Sequence, residues 1–283
     1  MKIFLVGKGI WSAKINKILE STSIQTEIVS ARFFLKNAEA LKRKIIDEKF
    51  DFIWITTLPE TQYKVLREIE MIKKKIILEK PIIFKKNISD TEILNYFEEY
   101  ESLNFLFLSK LWNYSALWLH TLKVLSGSKI IRIEITRYGR KKHKEITPYL
   151  DWLSHDLALL LDLSEEEIVL DDWKLRKKGA QGKFNLHFGN CKIEMLGGYS
   201  KIVKKSTWKF KLHDIDLVVN FSKGTIKIVN KKNNVSTIEK IDNNPIINML
   251  EDYQKNNSHI SQIELIKLCR LQSSMEDIRF ENV

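Results

Sequence analysis

Gly7 and Gly9 flank a single residue at the end of a short apolar run, Lys2 to Val6, and a helical pattern through Ile15, Ile18 and Leu19 follows them. A glycine pair in that place lets the backbone approach a pyrophosphate. The uncommitted N–H groups of the helix's first turn, where Ile10 and Trp11 stand, then receive its charge. The third glycine of the G-x-G-x-x-G fingerprint is replaced by Ser12. An NAD site places a carboxylate near the end of the second strand to bind the ribose hydroxyls, but here the segment reads Ile28-Val29-Ser30-Ala31-Arg32. Ser30 can donate to a 2'-phosphate and Arg32 can pair with it, so the sequence favours NADP(H) over NAD(H). A second group with chemical capacity is Asp151 and His155, four residues apart. On a helix they share one face, where a carboxylate can orient or charge-stabilise an imidazole and both can reach one ligand.

The elements that must position these groups alternate over the first 108 residues. Strands are expected at Lys2 to Val6, Thr26 to Ala31, Phe52 to Thr57, Lys75 to Leu78 and Phe105 to Leu108. Helices are expected after Gly9 and over Ala38 to Glu48, Glu60 to Lys73 and Asp90 to Glu101. That order predicts a doubly wound parallel sheet. The period then changes. A helix over Ser115 to Leu125, a strand over Lys129 to Tyr138 and a helix from Pro148 precede six closely spaced strands between Val169 and Asn230, which read as an antiparallel meander. In the Pro148 helix Leu150, Leu153, Leu157, Leu160 and Leu161 form the stripe that faces the core, which turns Asp151 and His155 away from it. Pro245 opens a helical tail with apolar faces at Ile246, Met249, Leu250 and Tyr253 and at Ile263, Ile266, Leu268 and Leu271. The expected boundary falls near residue 109, dividing 1–108 from 109–283.

Composition narrows the function classes. The 283 residues contain no apolar run near the length of a membrane span, and the N-terminal apolar run is too short for a signal peptide, so a cytoplasmic protein without a membrane partner is expected. Cys191 and Cys269 lack the spacing of a metal site or a disulfide framework. The net charge of +11 comes from 38 lysines and 9 arginines dispersed along the chain rather than gathered with aromatics on one element, which argues against a nucleic-acid partner. Arg137-Tyr138-Gly139-Arg140-Lys141-Lys142-His143-Lys144 brings five permanent positive charges close to Asp151 and suits an anionic substrate.

Two motifs carry a resemblance that spans essentially the whole chain. Glu79-Lys80-Pro81 stands at the carboxyl end of the fourth strand, and Asp151-Trp152-Leu153-Ser154-His155 fits an Asp-x-x-x-His motif at a helix start. Together with Gly7 and Gly9 they resemble the glucose-fructose oxidoreductase, inositol dehydrogenase and rhizopine-catabolism family, Gfo/Idh/MocA. The resemblance implies an α/β chain: a dinucleotide-binding Rossmann domain, then an α+β domain whose large, mostly antiparallel sheet serves substrate binding and homodimer or homotetramer formation. It implies NAD(P)-dependent hydride transfer to or from a sugar-like hydroxy/oxo substrate, free or carried on a nucleotide as in polysaccharide biosynthesis. Lys80 and His155 are the implied acid/base pair, either of which could move the proton, and Asp151 contacts substrate or the imidazole. Thr57, Pro59, Gln62, Glu79 and Lys80 join the implied cofactor contacts, and Lys80, Trp112, Tyr138, Asp151 and His155 are the implied substrate contacts. Ser12 and Gln62 depart from the common pattern, Gln62 standing where many relatives carry His. The same hydride and proton geometry serves C=N as well as C=O, so imine reduction is the alternative chemistry. A silent NADP-binding sensor or scaffold is the alternative class.

Overall fold

The chain's first strand must be central to be so apolar, and β1 (Lys2–Val6) is buried from Ile3 onward. The computed structural model describes residues 1–69, 72–82, 106–140, 147–232, 236–241, 244–255 and 262–277. After β1 come α1 (Ile10–Glu20), β2 (Gln25–Val29), α2 (Ala31–Lys36), α3 (Ala38–Asp47), β3 (Phe52–Ile55), α4 (Pro59–Ile69), β4 (Lys75–Leu78) and β5 (Leu106–Leu108). Among the described residues these strands form a parallel sheet in the order β2-β1-β3-β4-β5. Strand order reverses direction beside β1, and in sheets of this kind ligands bind outside the carboxyl ends of the strands at that point. The expected helix over Asp90 to Glu101, and Phe105 at the start of the expected fifth strand, lie outside the described residues. Ser30 does not continue β2; it caps α2, a helix the sequence pattern did not reveal.

The remaining elements are a 3-10 turn (Leu111–Tyr114), α5 (Ala116–Leu125), β6 (Ile130–Gly139), α6 (Pro148–Leu160), β7 (Val169–Arg176), β8 (Gln181–Phe188), β9 (Cys191–Tyr199), β10 (Lys205–Leu212), β11 (Ile215–Asn220), β12 (Thr225–Asn230), β13 (Ser236–Lys240), α7 (Pro245–Gln254) and α8 (Gln262–Asp277). Among the described residues eight strands form a second sheet in the order β13-β12-β11-β10-β6-β9-β8-β7. The expected simple meander is corrected here: β6 separates β9 from β10 and runs parallel to β9. The fully exposed β13 carries too little apolar pattern to be read as a strand. The inner face holds the core of this unit, in which Trp118 meets Trp208 edge-on at 5.1 Å and Tyr149 meets Phe184 at 5.2 Å. Facing outward, Lys183 pairs with Glu194 at 2.8 Å and Arg132 with Glu134 at 3.3 Å, while Lys209 reaches Glu134 at 3.5 Å.

Two compact units result, residues 1–109 with 246–269, and 110–245 with the chain from 270 onward. Residues 246–269, the start of the helical tail, thus group with the first unit. α7 buries Ile246, Met249, Leu250 and Tyr253, the face its sequence spacing defines, within the first unit. There the Tyr253 hydroxyl donates to the Leu108 carbonyl, and Lys75 Nζ donates to the carbonyls of Tyr253 and Gln254 at 2.8 and 2.7 Å. A cation on the last carbonyls of a helix satisfies groups that have no intrahelical partner.

Both cysteines are buried, and burial pushes the Cys191 thiol up to about 11 and the Cys269 thiol up to about 12. Only about one thiol in a thousand, or fewer, is then a thiolate at pH 8. Neither cysteine is expected to react measurably with a thiol-specific chromogenic disulfide in the folded protein at pH 8, and both should react within the mixing time in guanidinium. A fast native thiol would contradict this.

Candidate active site

The first unit gathers its chemistry at the carboxyl ends of β1, β3 and β4. Gly7 follows β1 at φ 140°, a conformation that favours glycine, and its N–H donates to the Val29 carbonyl at 2.8 Å. A Cβ there would collide with Thr56 Oγ1, so the close approach of β1 to β3 needs glycine twice over. Thr56 Oγ1 donates to the Val6 carbonyl at 3.2 Å, which leaves it to accept the hydroxyl hydrogen of Ser12 at 2.6 Å. Ser12 thus replaces the third glycine of the fingerprint with a buried cross-link from α1 to the β3 edge. Gly9 is the N-cap of α1; no side chain caps the helix, its first turn holds no acid, and a Cβ on Gly9 would meet nothing within 4 Å. Open space before uncapped N–H groups fits the pyrophosphate of a dinucleotide. Ile10 is 73% exposed at this mouth.

In the same unit the buried Thr57 Oγ1 and Gln62 Oε1 have no hydrogen-bond partner. Such atoms are costly unless a ligand or water meets them, and both belong to residues expected to hold the cofactor. Gln62 sits in α4, three residues after Pro59 starts that helix, and its Nε2 donates to the Glu79 carbonyl at 2.9 Å. Glu79 is buried. Its carboxyl is raised above the usual range, chiefly by burial and in spite of Lys80, the Trp54 indole N–H that donates to Oε1 at 2.9 Å, and the nearby Trp11 and Ser109 groups. Lys80 is half-buried and its Nζ donates to the Ser109 carbonyl. The Lys80 ammonium is thus fixed at the sheet's carboxyl edge, in sequence beside a buried carboxyl. At the end of β2, Ser30 Oγ accepts from Phe33 N–H at 3.2 Å, which leaves its own hydrogen to donate, and Arg32 is exposed on α2.

In the second unit, burial singles out the other expected group. From Pro148 to Leu160 every residue of α6 is buried except Asp151, Trp152 and His155. Trp152 lies against Gly139 at the end of β6, where any Cβ would strike its ring. Asp151 and His155 therefore occupy the open strip of a helix otherwise enclosed, with Asp151 in the first turn, where the helix dipole favours a carboxylate. Tyr138, in β6, is half-buried, and burial raises its hydroxyl against the opposing influence of Arg176. Trp112 packs edge-on against Phe221 at 5.2 Å with the Arg137 guanidinium 5.7 Å from its ring centre. The structure thus brings Gly7, Gly9, Trp11, Thr57, Gln62, Glu79 and Lys80 together in one unit, and places Trp112, Tyr138, Asp151 and His155 in the other.

One expectation is overturned. Arg137 adds nothing to an exposed basic field, because it is buried and its Nε and Nη2 hold the Asp156 carboxylate in a fork, Nη2 at 2.8 Å from Oδ1. Trp208 Nε1 also donates to Asp156 Oδ1, at 2.7 Å. Lys141, Lys142, His143 and Lys144 lie outside the described residues. Sequence reading missed this network although both signals were present: Arg137 continues the inward alternation of Ile133 and Ile135, and Asp156 falls on the apolar stripe between Leu153 and Leu160.

No family model and no curated protein matches the sequence. Solved structures do match. UDP-N-acetylglucosamine 3-dehydrogenase GnnA from Acidithiobacillus ferrooxidans superposes with a TM-score of 0.77 at 13% identity, covering 98% of this chain and 97% of that one. A 3-ketoreductase from Actinomadura kijaniata, solved with TDP-benzene and NADP, superposes with a TM-score of 0.76 at 12% identity over 98% and 97%. A Gfo/Idh/MocA family oxidoreductase from Vibrio cholerae gives a TM-score of 0.74 at 13% identity over 99% and 98%. Over nearly its whole length, from the glycine turn to the eight-stranded sheet, the chain has the fold of the Gfo/Idh/MocA oxidoreductases.

Proposed function

We propose that the protein is an NADP(H)-dependent oxidoreductase of the Gfo/Idh/MocA type, acting on a sugar-like hydroxy/oxo compound, with the nucleotide-linked sugars of its structural neighbours as the leading class. The observation that carries this reading is Lys80, held by the Ser109 carbonyl on the same sheet edge as the Gly7 turn and the uncapped start of α1. When bound, the nicotinamide supplies the hydride. The chain's residues do the rest: the first-turn N–H groups of α1 hold the pyrophosphate, and Ser30 and Arg32 meet the 2'-phosphate. Thr57 and Gln62 offer polar atoms that are otherwise unpartnered. In the reducing direction a proton passes from Lys80 Nζ, or from the His155 ring, to the oxygen of the carbon that gains the hydride. Asp151 binds substrate hydroxyls or steadies the imidazole. Residues 1–108 are the cofactor domain in this reading and the eight-stranded sheet carries substrate recognition.

Calorimetric titration with NADPH and NADH tests the cofactor assignment. NADPH is expected to bind, and Arg32→Ala to weaken it roughly tenfold or more by removing a charge-assisted contact, with NADH almost unaffected. If neither nucleotide binds at millimolar concentration, the oxidoreductase reading fails.

A further inference from the structure

The two ends of the second unit's sheet differ in charge. The pairs Tyr138 with Lys205, Gly198 with Gln181 and Gln181 with Arg176 bring three connections to one end: the exit of β6, the β7–β8 turn and the β9–β10 loop. These connections present Arg140, Lys177, Lys178, Lys201, Lys204 and Lys205, all exposed, and residues 139–140, 176–181 and 199–205 contain no Asp or Glu. At the opposite end Glu165, Glu166 and Glu167 precede β7, and Lys231 pairs with Asp216 at 3.1 Å and Lys232 with Asp214 at 3.5 Å. The asymmetry is thus not a side effect of a lysine-rich composition. Lys177 and Lys178 even occupy φ 51° and 53°, in the left-handed region that favours glycine.

At the tip of the basic end stand two aliphatic side chains, Ile202 at 83% and Val203 at 43% exposure. Their loop is braced: Ser200 N–H donates to the Gly139 carbonyl at 2.8 Å, Val203 N–H to Ser200 Oγ at 3.1 Å, and Arg140 Nη2 to the Ile202 carbonyl at 3.2 Å. A single exposed aliphatic residue is ordinary, but an adjacent pair held outward and bracketed by Lys201, Lys204 and Lys205 is not. Aliphatic groups enter the boundary between lipid headgroups and acyl chains, while lysines around them rest on anionic headgroups. A single-stranded nucleic acid would instead call for exposed aromatic platforms, and the tyrosines at this end, Tyr138 and Tyr199, are half-buried. The lack of a long apolar run excludes spanning a bilayer by a helix, not resting on its surface.

We propose that this end of the sheet is a peripheral membrane contact, with Ile202 and Val203 inserted into the surface of an anionic bilayer and the surrounding lysines on its phosphates. The test is cosedimentation of the full chain with vesicles of phosphatidylcholine alone or with 30% phosphatidylglycerol, at low and physiological salt. Binding to the anionic vesicles alone is expected, weakening as salt rises. The triple change Lys201→Gln, Lys204→Gln, Lys205→Gln should lower the partition coefficient about a hundredfold and Ile202→Ser with Val203→Ser about tenfold. Lys129→Gln, Lys192→Gln and Lys211→Gln, at the opposite end, should leave it within twofold. All these side chains are exposed, and an unchanged thermal melt confirms the fold of each variant. Equal losses from the two lysine triples would overturn the proposal. So would no vesicle binding, binding to heparin or duplex DNA that matches vesicle binding and ignores the Ile202 and Val203 changes, or a dimer that those two changes dissociate.

Discussion

Lys80→Ala is expected to lower hydride-transfer turnover about a thousandfold, within the range that a positioned proton donor contributes, while NADPH binding stays within about threefold. The expectation follows from how the ammonium is held. Lys80 is the second residue past β4, and the chain there is fixed before the side chain is considered: Glu79 N–H donates to the Ile55 carbonyl at 3.3 Å, and the Glu79 carbonyl accepts from Gln62. The Ser109 carbonyl then holds the Nζ. Nothing in the pyrophosphate or 2'-phosphate contacts passes through Lys80, so cofactor affinity and turnover should separate. Lys80→Arg should fail to restore turnover, because a guanidinium does not release a proton near neutral pH and is too broad for the same position. Single-turnover measurement of NADPH oxidation, with a substrate found by screening oxidised sugars and nucleotide sugars on the unmodified protein, reads the chemical step, and calorimetry reads the cofactor. Turnover of Lys80→Ala within tenfold of the unmodified protein would remove Lys80 from the proton-transfer role.

The parallel sheet was legible because its strands are continuous apolar runs that end in turn signals, and the glycine turn because its backbone geometry admits few alternatives. α2 was not legible, since Ser30 reads equally well as the last residue of a strand and as the cap of a helix, and only the Phe33 N–H partner decides between them. The insertion of β6 between β9 and β10 depends on pairings between distant strands that local alternation does not encode. The open strip of Asp151 and His155 was foreseeable from the leucine stripe. The near-complete enclosure of the rest of α6 was not, because Ser154, Asp156 and Ala158 look polar or neutral in the sequence and are buried by the sheet beneath them. Arg137 shows the same limit from the other side. Adjacency to Arg140 and the following lysines suggested a solvated cluster, whereas strand alternation, which sends every second residue inward, decides its burial.

That burial leads to the largest stability effect expected for a single change in the second unit. Asp156→Ala should destabilise the protein by about 3–5 kcal/mol, because it strands the Arg137 cation in the core and leaves the Trp208 indole N–H without its acceptor. The pair itself need not be strongly stabilising, since two charges removed from water lose hydration comparable to what their fork returns. The double change Arg137→Met with Asp156→Leu should therefore recover most of the loss, to within about 1–2 kcal/mol of the unmodified protein, because it removes both charges and keeps the volume filled. Urea unfolding of the two single variants and the double variant measures the coupling. The double variant also probes what the network does besides contribute stability. Asp156 is the neighbour of His155 on α6, and the fork to Arg137 fixes the rotation of that helix on the sheet, as Trp152 against Gly139 does one turn earlier. If the network's role is to hold the Asp151 and His155 strip in register, the double variant should be nearly as stable as the original yet poorer in turnover, with NADPH affinity unchanged. Equal losses in the single and double variants would show that the pair acts as an ordinary packing contact instead.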